Sequence, residues 1–268
     1  MIRTRLLAAT LIALPAAALP LSALADPTGL EVMQQVDTRP DGSDLTQTIE
    51  QKLIDARGSV RERTMVSLRL DIGADKRQIS FFLEPTNVRN TAMLTYDYDG
   101  AEKDDDQWLY LPALKKVRRI ASGDRGDYFM GTDFTFEDIK QTPELADYTW
   151  KLLGSDTVDG RDCWVVEGIP ASADLVRDLG YSRSEHRVDK ERLIALRVDY
   201  WDRTGKSLKV MRALEVAQIQ GFWSIAHSEM ENLQTGHKTE MTFSDQKYDT
   251  GLDEELFSER TLKRGWRQ

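Results

Sequence analysis

Apolar and polar residues alternate with a period of two through most of this chain. Between positions 66 and 72, apolar side chains occupy every even position, and Ser67, Arg69 and Asp71 occupy the odd ones. Successive side chains of a strand point to opposite faces, so this alternation is typical of a half-buried antiparallel strand. The pattern predicts one face packed on a core and one polar face.

The same pattern recurs along the chain and predicts about ten further strands. Asp-Gly at 159–160 and Thr-Gly at 204–205 and 235–236 each separate two such runs, as hairpin turns do. Neighbouring strands should therefore be antiparallel. The further strands are predicted at Gln78–Leu83, Thr91–Tyr96, Gln107–Leu111, Tyr148–Leu153, Arg161–Gly168, Ser184–Asp189, Arg192–Tyr200, Ser207–Val216, Phe222–Asn232 and Lys238–Lys247.

Helical patterns are few and short. Leu30, Met33 and Val36 are spaced by three, as on one face of a helix, and the segment 39–42 with its proline and glycine should end it. Three other short helices are predicted at Asp133–Lys140, Ala173–Leu179 and Asp253–Phe257.

These elements predict a mainly β fold with a few short helices, in the α+β class. Two architectures satisfy the pattern: a closed or nearly closed β-barrel, and one large curved antiparallel sheet whose concave face the helical pieces cover. Sheets of this size curl, so either one can enclose an apolar cavity. Strands with one polar face exclude an α/β nucleotide-binding fold.

The first 25 residues have the pattern of a cleavable export signal. Arg3 and Arg5 precede an apolar run that two prolines interrupt, and Ala23-Leu24-Ala25 offers small residues for cleavage. A membrane anchor needs about 20 unbroken apolar residues, which this run does not provide. We therefore expect cleavage after Ala25, and one domain spanning residues 26–268. No cysteine follows the cleavage site, so we expect no lipid anchor.

The net charge limits the kinds of partner to expect, and the cysteine content limits what can stabilise the fold. Without Arg3 and Arg5 the mature chain has 34 basic against 45 acidic residues, a net charge of −11. This balance disfavours nucleic acid and anionic membrane surfaces as partners and favours a soluble monomer. Cys163 is the only cysteine, so the fold must depend on its core rather than on disulfides.

The sequence contains no catalytic or metal-binding pattern. His186, His227 and His237 are isolated, with no carboxylate or cysteine at a metal-ligand spacing. The aspartates at 104–106 lack the spaced ligands of a calcium loop, and the acidic pair at 137–138 lacks a nucleophile beside it. We therefore expect no enzymatic activity, no cofactor and no metal.

Two segments depart from ordinary strand patterning. A strand turned at Pro112 continues into a basic strand, and Gly131–Ile139 combines acidic and aromatic residues. One interpretation is a local set of ion pairs that fixes a short helix to the sheet. The alternative is a cavity rim or a docking surface for a partner. The residues concerned are Lys115, Lys116, Arg118, Arg119, Asp133, Phe134, Glu137 and Asp138.

Three motifs resemble a known family. D-x-x-W-L-Y-L-P-x-L-x-x-V-R-R-I spans 105–120, G-T-D-F-T-F-E-D spans 131–138, and G-x-x-C-W-V-V-E-x-x-P spans 160–170. Together they resemble the outer-membrane lipoprotein-sorting proteins of the LolA-like superfamily, more narrowly the branch with TP-0789-type domains. The resemblance covers most of the mature chain. Compared with the dedicated shuttle, this chain adds an acidic N-terminal stretch and an insertion at 171–184, which leave the cargo open.

The resemblance implies an unclosed β-barrel with a helical lid over a hydrophobic cavity for acyl chains. It further implies a periplasmic carrier of lipoproteins or other lipids between the inner and outer membranes. An inner-membrane exporter of the resistance-nodulation-division type and an outer-membrane acceptor are the implied partners. A ligand-free adaptor of such an exporter and a lipid or glycan hydrolase are the alternatives.

The cavity-lining candidates are apolar residues of the period-two strands, for which ordinary core packing is the alternative role. They are Val66, Leu68, Leu70, Phe81, Leu83, Met93, Trp108 and Tyr110.

Overall fold

The computed structural model describes residues 26–100, 103–140 and 143–266. The predicted export signal lies outside the described residues. The described chain begins with helix α1 (Gly29–Asp37), where Thr28 and Glu31 form a capping box that satisfies the free N–H groups of the first turn. Val32 and Met33 are buried, which confirms the amphipathic helix predicted here.

Thirteen strands form a single sheet in which every pair is antiparallel. The strands are β1 (Asp44–Ile54), β2 (Val60–Ile72), β3 (Asp75–Glu84), β4 (Ala92–Asp97), β5 (Asp106–Leu111), β6 (Lys116–Ile120), β7 (Tyr148–Val158), β8 (Arg161–Pro170), β9 (Tyr181–Asp189), β10 (Ala195–Asp202), β11 (Ser207–Ile219), β12 (Phe222–Asn232) and β13 (Lys238–Tyr248).

The sheet is built from two meanders that meet in its middle. β1 pairs with β13, so that the order across the sheet is β6 to β1 followed by β13 down to β7. Within the described part of the chain β6 and β7 are the two edges and do not pair, so the sheet is not closed. The mainly β fold with an open antiparallel sheet is confirmed.

The described chain between the two edge strands, residues 121–140 and 143–147, covers one face of the sheet, and we call it the plug. It contains 3₁₀ turns at Ser122–Asp124, Phe129–Gly131 and Leu145–Asp147. Phe129, Phe134 and Phe136 are buried against strand residues of that face. We call the covered side the cavity face and the other side the opposite face.

Helix α1 lies at the other end of the cavity face, over β7 and β8. The start of α1 lies close against β7. A Cβ at Gly29 would stand 2.6 Å from the backbone of Lys151, so only glycine permits this approach. A second helix, α2 (Ala173–Leu179), connects β8 to β9 as predicted, with Ser172 as its N-cap.

The opposite face is divided into a packed half and a charged half. Over β2–β5 it is covered by helix α3 (Glu259–Arg264), with Phe257 and Leu262 almost fully buried and Trp266 against Phe81, ring centroids 5.9 Å apart. Over β7–β13 it presents ion pairs, among them Arg187 with Asp199 at 2.6 Å. Such partly exposed pairs contribute little each, about 1 kcal/mol or less.

Three elements differ from the sequence prediction. No α-helix forms at Asp133–Lys140, because Asp133 and Asp138 use their side chains to bond strand residues and the local backbone instead. Residues 253–257 contain only a 3₁₀ turn, and α3 follows them. Strand β1 was not predicted, since Gln47 and Gln51 occupy inward positions and hide the apolar alternation.

Candidate functional site

A cavity of about 380 Å³ lies between the cavity face, the plug and α1. Its volume falls in the range of about 300–1,000 Å³ that small-molecule sites occupy. Residues from both halves of the sheet line it, from β4 through β1 and β13 to β9, together with Tyr148 at the start of β7. The cavity is therefore a property of the whole sheet and belongs to no single motif.

Methionine is the characteristic residue of the apolar lining. Of the eight methionines in the chain, six contribute to the cavity wall. The unbranched thioether side chain adapts to irregular shapes, which suits a flexible apolar ligand. Phe129, Phe134 and Ile139 of the plug and Phe243 of β13 complete this lining. The six methionines are Met33, Met65, Met93, Met211, Met230 and Met241.

The polar part of the lining lies along β1–β3. Gln47, Ser67 and Ser80 follow one another across these strands, and Ser80 Oγ donates to Ser67 Oγ at 3.0 Å. Beside this row, Arg69 forms an ion pair with Asp41 and donates to the Gly42 carbonyl at 2.7 Å. The cavity is therefore amphipathic, with uncharged polar groups and two arginines, Arg69 and Arg39, beside the methionine-rich region. Arg39 donates to the Trp223 carbonyl at 3.0 Å.

A buried lysine fixes the plug to the sheet. Lys209 of β11 is fully buried, and its Nζ donates to Asp138 Oδ2 at 2.5 Å and to the Asp133 carbonyl at 2.8 Å. Tyr181 also donates to Asp138 at 2.9 Å. Burial lowers the pKa of Lys209, and the Asp138 carboxylate opposes this effect. We call Lys209, Asp138 and Asp133 the β11 clamp.

The Asp133 side chain extends this attachment to β13. Its Oδ2 accepts from Thr239 Oγ1 at 2.7 Å and contacts His237 Nδ1 at 2.6 Å, while the Asp133 N–H donates back to Thr239 at 3.0 Å. The G-T-D-F-T-F-E-D motif thus alternates anchoring acids with phenylalanines that face the sheet. The acids of this segment pair with Lys209, Lys140 and His237, whereas Arg118 and Arg119 pair with Asp124 and Asp106. The predicted local ion pairs between the basic strand and a short helix are therefore not what attaches the segment to the sheet.

A second buried lysine attaches the end of the plug to the β4–β5 region. Lys140 Nζ lies 2.6 Å from Asp105, 3.0 Å from Glu137 and 3.8 Å from Asp97. Burial lowers the pKa of Lys140, but the three carboxylates prevail and hold it above its ordinary value. Burial raises the pKa of Asp97 to about 7, against the attraction of Lys140.

His186 of β9 lines the cavity near α1. Its Nε2 is 2.9 Å from Ser184 Oγ, and its ring meets Trp150 edge-on at 5.4 Å. Burial lowers the pKa of His186 to about 4, so the imidazole is neutral near pH 7. The three predicted isolated histidines thus have different settings, with His237 bound to the plug and His186 in the cavity wall.

Seven of the eight predicted cavity residues lie on the opposite face, which corrects the predicted cavity lining. They pack beneath α3 and Phe257, whereas Met93 alone among the eight lines the cavity. The period-two pattern separates two faces but does not say which one surrounds a cavity. Here the face with smaller and more polar side chains leaves the space. The seven residues are Val66, Leu68, Leu70, Phe81, Leu83, Trp108 and Tyr110.

The predicted rim residues separate into two groups. The basic residues Lys115, Lys116, Arg118 and Arg119 are exposed on and beside edge strand β6. The plug residues are buried, and three of them line the cavity: Phe134, Glu137 and Asp138. Asp133 is buried in the β11 clamp.

Two residues escaped the sequence reasoning: Lys209, which holds the plug, and Gln51, which lines the cavity. Lys209 stands in a strand of ordinary composition, and Gln51 in a strand that was not predicted. The methionines at inward strand positions were an available indication, since five of them recur in strands far apart in sequence. Cys163 is buried and free, and burial raises the pKa of its thiol.

Among the described residues, no group of three histidine, cysteine or acidic side chains is placed to hold a metal ion. Within the same ranges, no helix has the length and apolar character needed to cross a bilayer.

Comparison with known proteins places this fold in a family. Residues 74–264 match a family model described as an uncharacterized protein. No curated protein sequence matches the chain. Among solved structures, a Vibrio parahaemolyticus domain assigned to the outer membrane lipoprotein-sorting proteins is 34% identical, with a TM-score of 0.81, and the match covers 88% of this chain and 98% of that one.

Two further solved structures are similar. A DUF1329 family protein from Desulfovibrio piger is 29% identical with a TM-score of 0.82, and the match covers 87% of this chain and 97% of that one. A LolA superfamily protein from Nitrosomonas europaea is 18% identical with a TM-score of 0.69, covering 88% and 100%, and it shows the shared fold. The family model and the 34% identical structure establish that the chain belongs to the family of the outer membrane lipoprotein-sorting protein domain from Vibrio parahaemolyticus, and it has the fold of the LolA superfamily.

Proposed function

We propose that this protein is a periplasmic carrier that binds acyl chains of lipoproteins or other lipids and moves them between the inner and outer membranes. The observation that carries the proposal is the methionine-rich cavity of about 380 Å³ in a LolA-like fold. The predicted export signal without a lipidation cysteine supports it, since a carrier must diffuse between two membranes.

The energetics of apolar burial are sufficient for such a ligand. Each methylene removed from water gains about 0.8 kcal/mol, so fourteen methylenes would gain roughly 11 kcal/mol before the entropic costs of association. Methionine side chains can follow a chain that enters in several conformations. Binding of this strength makes release the difficult step.

Release therefore requires a conformational change or a better acceptor. The plug is the element that can move, because it covers the cavity without belonging to the sheet. The side-chain contacts of the β11 clamp and of Lys140 hold it in place. We propose that an inner-membrane exporter of the resistance-nodulation-division type supplies the lipid and that an outer-membrane acceptor receives it.

The buried acids of the cavity support binding rather than catalysis. Glu137 is bonded to Lys140, and Asp138 to Lys209 and Tyr181. A hydrolase would need a carboxylate free to exchange a proton with its substrate. We therefore propose that the protein has no enzymatic activity.

The purified mature protein should contain lipid or bind an environment-sensitive apolar dye. Native mass spectrometry and dye titration test this, and a protein with only the apo mass and no dye binding would contradict the carrier function.

Two variants on opposite faces of strand β2 locate the site. Met65 faces the cavity, whereas Leu68 packs under α3. Met65→Ala should weaken dye binding about three- to tenfold through lost apolar contact. Leu68→Ala should lower the free energy of unfolding by about 2–5 kcal/mol and leave the dye affinity of the folded protein unchanged.

The exposed basic strand β6 favours a second candidate, a ligand-free adaptor of the same kind of exporter. Lys116, Arg118 and Arg119 are accessible on this edge. A protein that binds the exporter but no lipid in the mass spectrometric test would support the adaptor.

A further inference from the structure

Gln51 is a buried amide in the wall of the cavity. It lies near the middle of β1 and is 2% exposed. Its Oε1 is buried and has no hydrogen-bond partner among the described residues. Buried polar groups in folded proteins are nearly always bonded, and an unpaired buried acceptor lowers stability. An amide in this position needs a reason other than folding.

The side chains around Gln51 are apolar or already donate their hydrogen bonds to other groups. Met241 and Arg63 stand opposite it on the neighbouring strands, and Ile49 precedes it on the same face. Arg63 directs its guanidinium to the Met130 carbonyl at 2.8 Å and over the ring of Phe82 at 5.7 Å. No donor from these neighbours reaches the Gln51 oxygen.

The polar side chains of β2 and β3 in the cavity are bonded to one another. Ser67 accepts from Ser80 at 3.0 Å and from Gln78 Nε2 at 3.3 Å. Gln246 also has an unpaired Oε1, but its nitrogen donates to Gln47 at 3.0 Å, so the amide has a structural role.

Gln51 also stands apart from the polar row. It is four residues from Gln47 along β1, about 13 Å at the rise of a strand, and apolar Ile49 lies between them. A ligand chain that crosses this apolar interval would meet a second polar group at Gln51.

We infer that Gln51 is the recognition point for an uncharged hydrogen-bond donor, a hydroxyl or an amide N–H, carried by the bound lipid. The donor is uncharged because Glu137 and Asp138, the acidic residues of the plug side of the cavity, are already paired with lysines. A buried cation would have no free carboxylate to meet. This inference rests on the proposed carrier function and adds the class of lipid.

Two matched pairs of ligands test the inference and distinguish the two donors. The first pair is hexadecanoic acid and 16-hydroxyhexadecanoic acid, which differ by a hydroxyl at the far end of the chain. The second pair is N-hexadecanoylglycine and its ester analogue, hexadecanoylglycolic acid, which differ by an N–H near the carboxylate. Affinities are measured by dye displacement on the full mature protein.

The wild-type protein should prefer the donor-bearing member of at least one pair by about tenfold, the effect of one hydrogen bond to an otherwise unpaired buried acceptor. Gln51→Met keeps the size of the side chain and should abolish this preference. Gln78→Met makes the same change in the polar row and should retain the preference. The pair that responds tells which end of the lipid faces Gln51.

Thermal unfolding of the ligand-free variants gives an independent test. Gln51→Met should be at least as stable as the wild type, because it removes an unpaired buried acceptor. A clear loss of stability would mean that the amide has a structural partner, and it would overturn the inference.

The outcomes for the inference and for the carrier function are separable. If the lipids bind but neither pair shows a donor preference, or if Gln51→Met keeps the preference, the inference fails and the carrier function stands. If none of the four lipids binds, both fail.

Discussion

Individual side chains explain why a cavity lies on only one side of this sheet. Along β2, Met65, Ser67 and Arg69 face the cavity, while Val66 and Leu68 pack beneath α3. Both sets are mostly buried, so the polar residues of the alternating pattern do not mark solvent. Small hydroxyl side chains bonded to one another fill less volume than leucines, and this difference leaves space for a ligand.

His186 should make the free energy of unfolding depend on pH. Its folded-state pKa is about 4, below the ordinary value of 6.5. Between these values only the unfolded state binds the proton, so stability is present above pH 6.5 and is lost as the pH falls towards 4. The loss should be on the order of 3 kcal/mol.

The prediction is measured as the difference in unfolding free energy between wild type and His186→Gln from pH 7.5 to 4.5. Glutamine retains a partner for Ser184, so the variant should lose the His186 part of the pH slope. His227→Gln is the control histidine variant. Equal slopes for wild type and His186→Gln would show that His186 is protonated in the folded state.

At the scale of elements, the plug is a segment held by charge and packed by aromatic rings. It has little regular structure, and it does not pair with either edge strand beside it. Lys209 and Lys140 anchor it from two different regions of the sheet. An element of this kind can separate from the sheet without breaking a strand ladder, as cargo entry requires.

Lys209→Met should release the plug at the β11 clamp. Removing one partner of a buried ion pair leaves a buried carboxylate at Asp138, at a cost of about 3–5 kcal/mol. Urea unfolding measures the loss, and hydrogen exchange should increase in residues 128–140 more than in β1 or β2.

Lys206 is exposed and lies three residues earlier in the chain. Lys206→Met should change the free energy of unfolding by no more than about 0.5 kcal/mol and should leave hydrogen exchange in the plug unchanged. The double variant Lys209→Met/Asp138→Asn should recover part of the lost stability, because it removes the unpaired charge. A stable Lys209→Met protein with an unchanged plug would contradict the clamp.

As far as the structure describes the chain, the molecule is an open sheet whose two edge strands, β6 and β7, have no further strand beside them. Open edges invite pairing with other chains, and charged side chains on them oppose it. Lys116 and Arg118 are exposed on edge strand β6, in a chain with net charge −9. We therefore propose that the charges on this edge keep the protein monomeric.

Lys116→Thr/Arg118→Thr should promote edge-to-edge association, which light scattering after size exclusion would detect as a dimer or larger species. Lys263→Thr/Arg264→Thr removes the same charge from the exposed side of α3 and should remain monomeric. Association of both variants to the same degree would mean that net charge, rather than the edge, keeps the protein monomeric.

The sequence by itself determined the strands other than β1, their antiparallel hairpins and the family resemblance, because period-two alternation, turn residues and the three motifs are local. It predicted α1 and α2 but failed at 133–140, where Asp133 and Asp138 bond to distant strands.

Only the tertiary structure decided which face is hollow, and it brought together Gln51, Lys209 and six methionines from distant elements. Alternation fixes two faces but not what covers them, and the covers here, α3 and the plug, are joined to the sheet by contacts far apart in sequence.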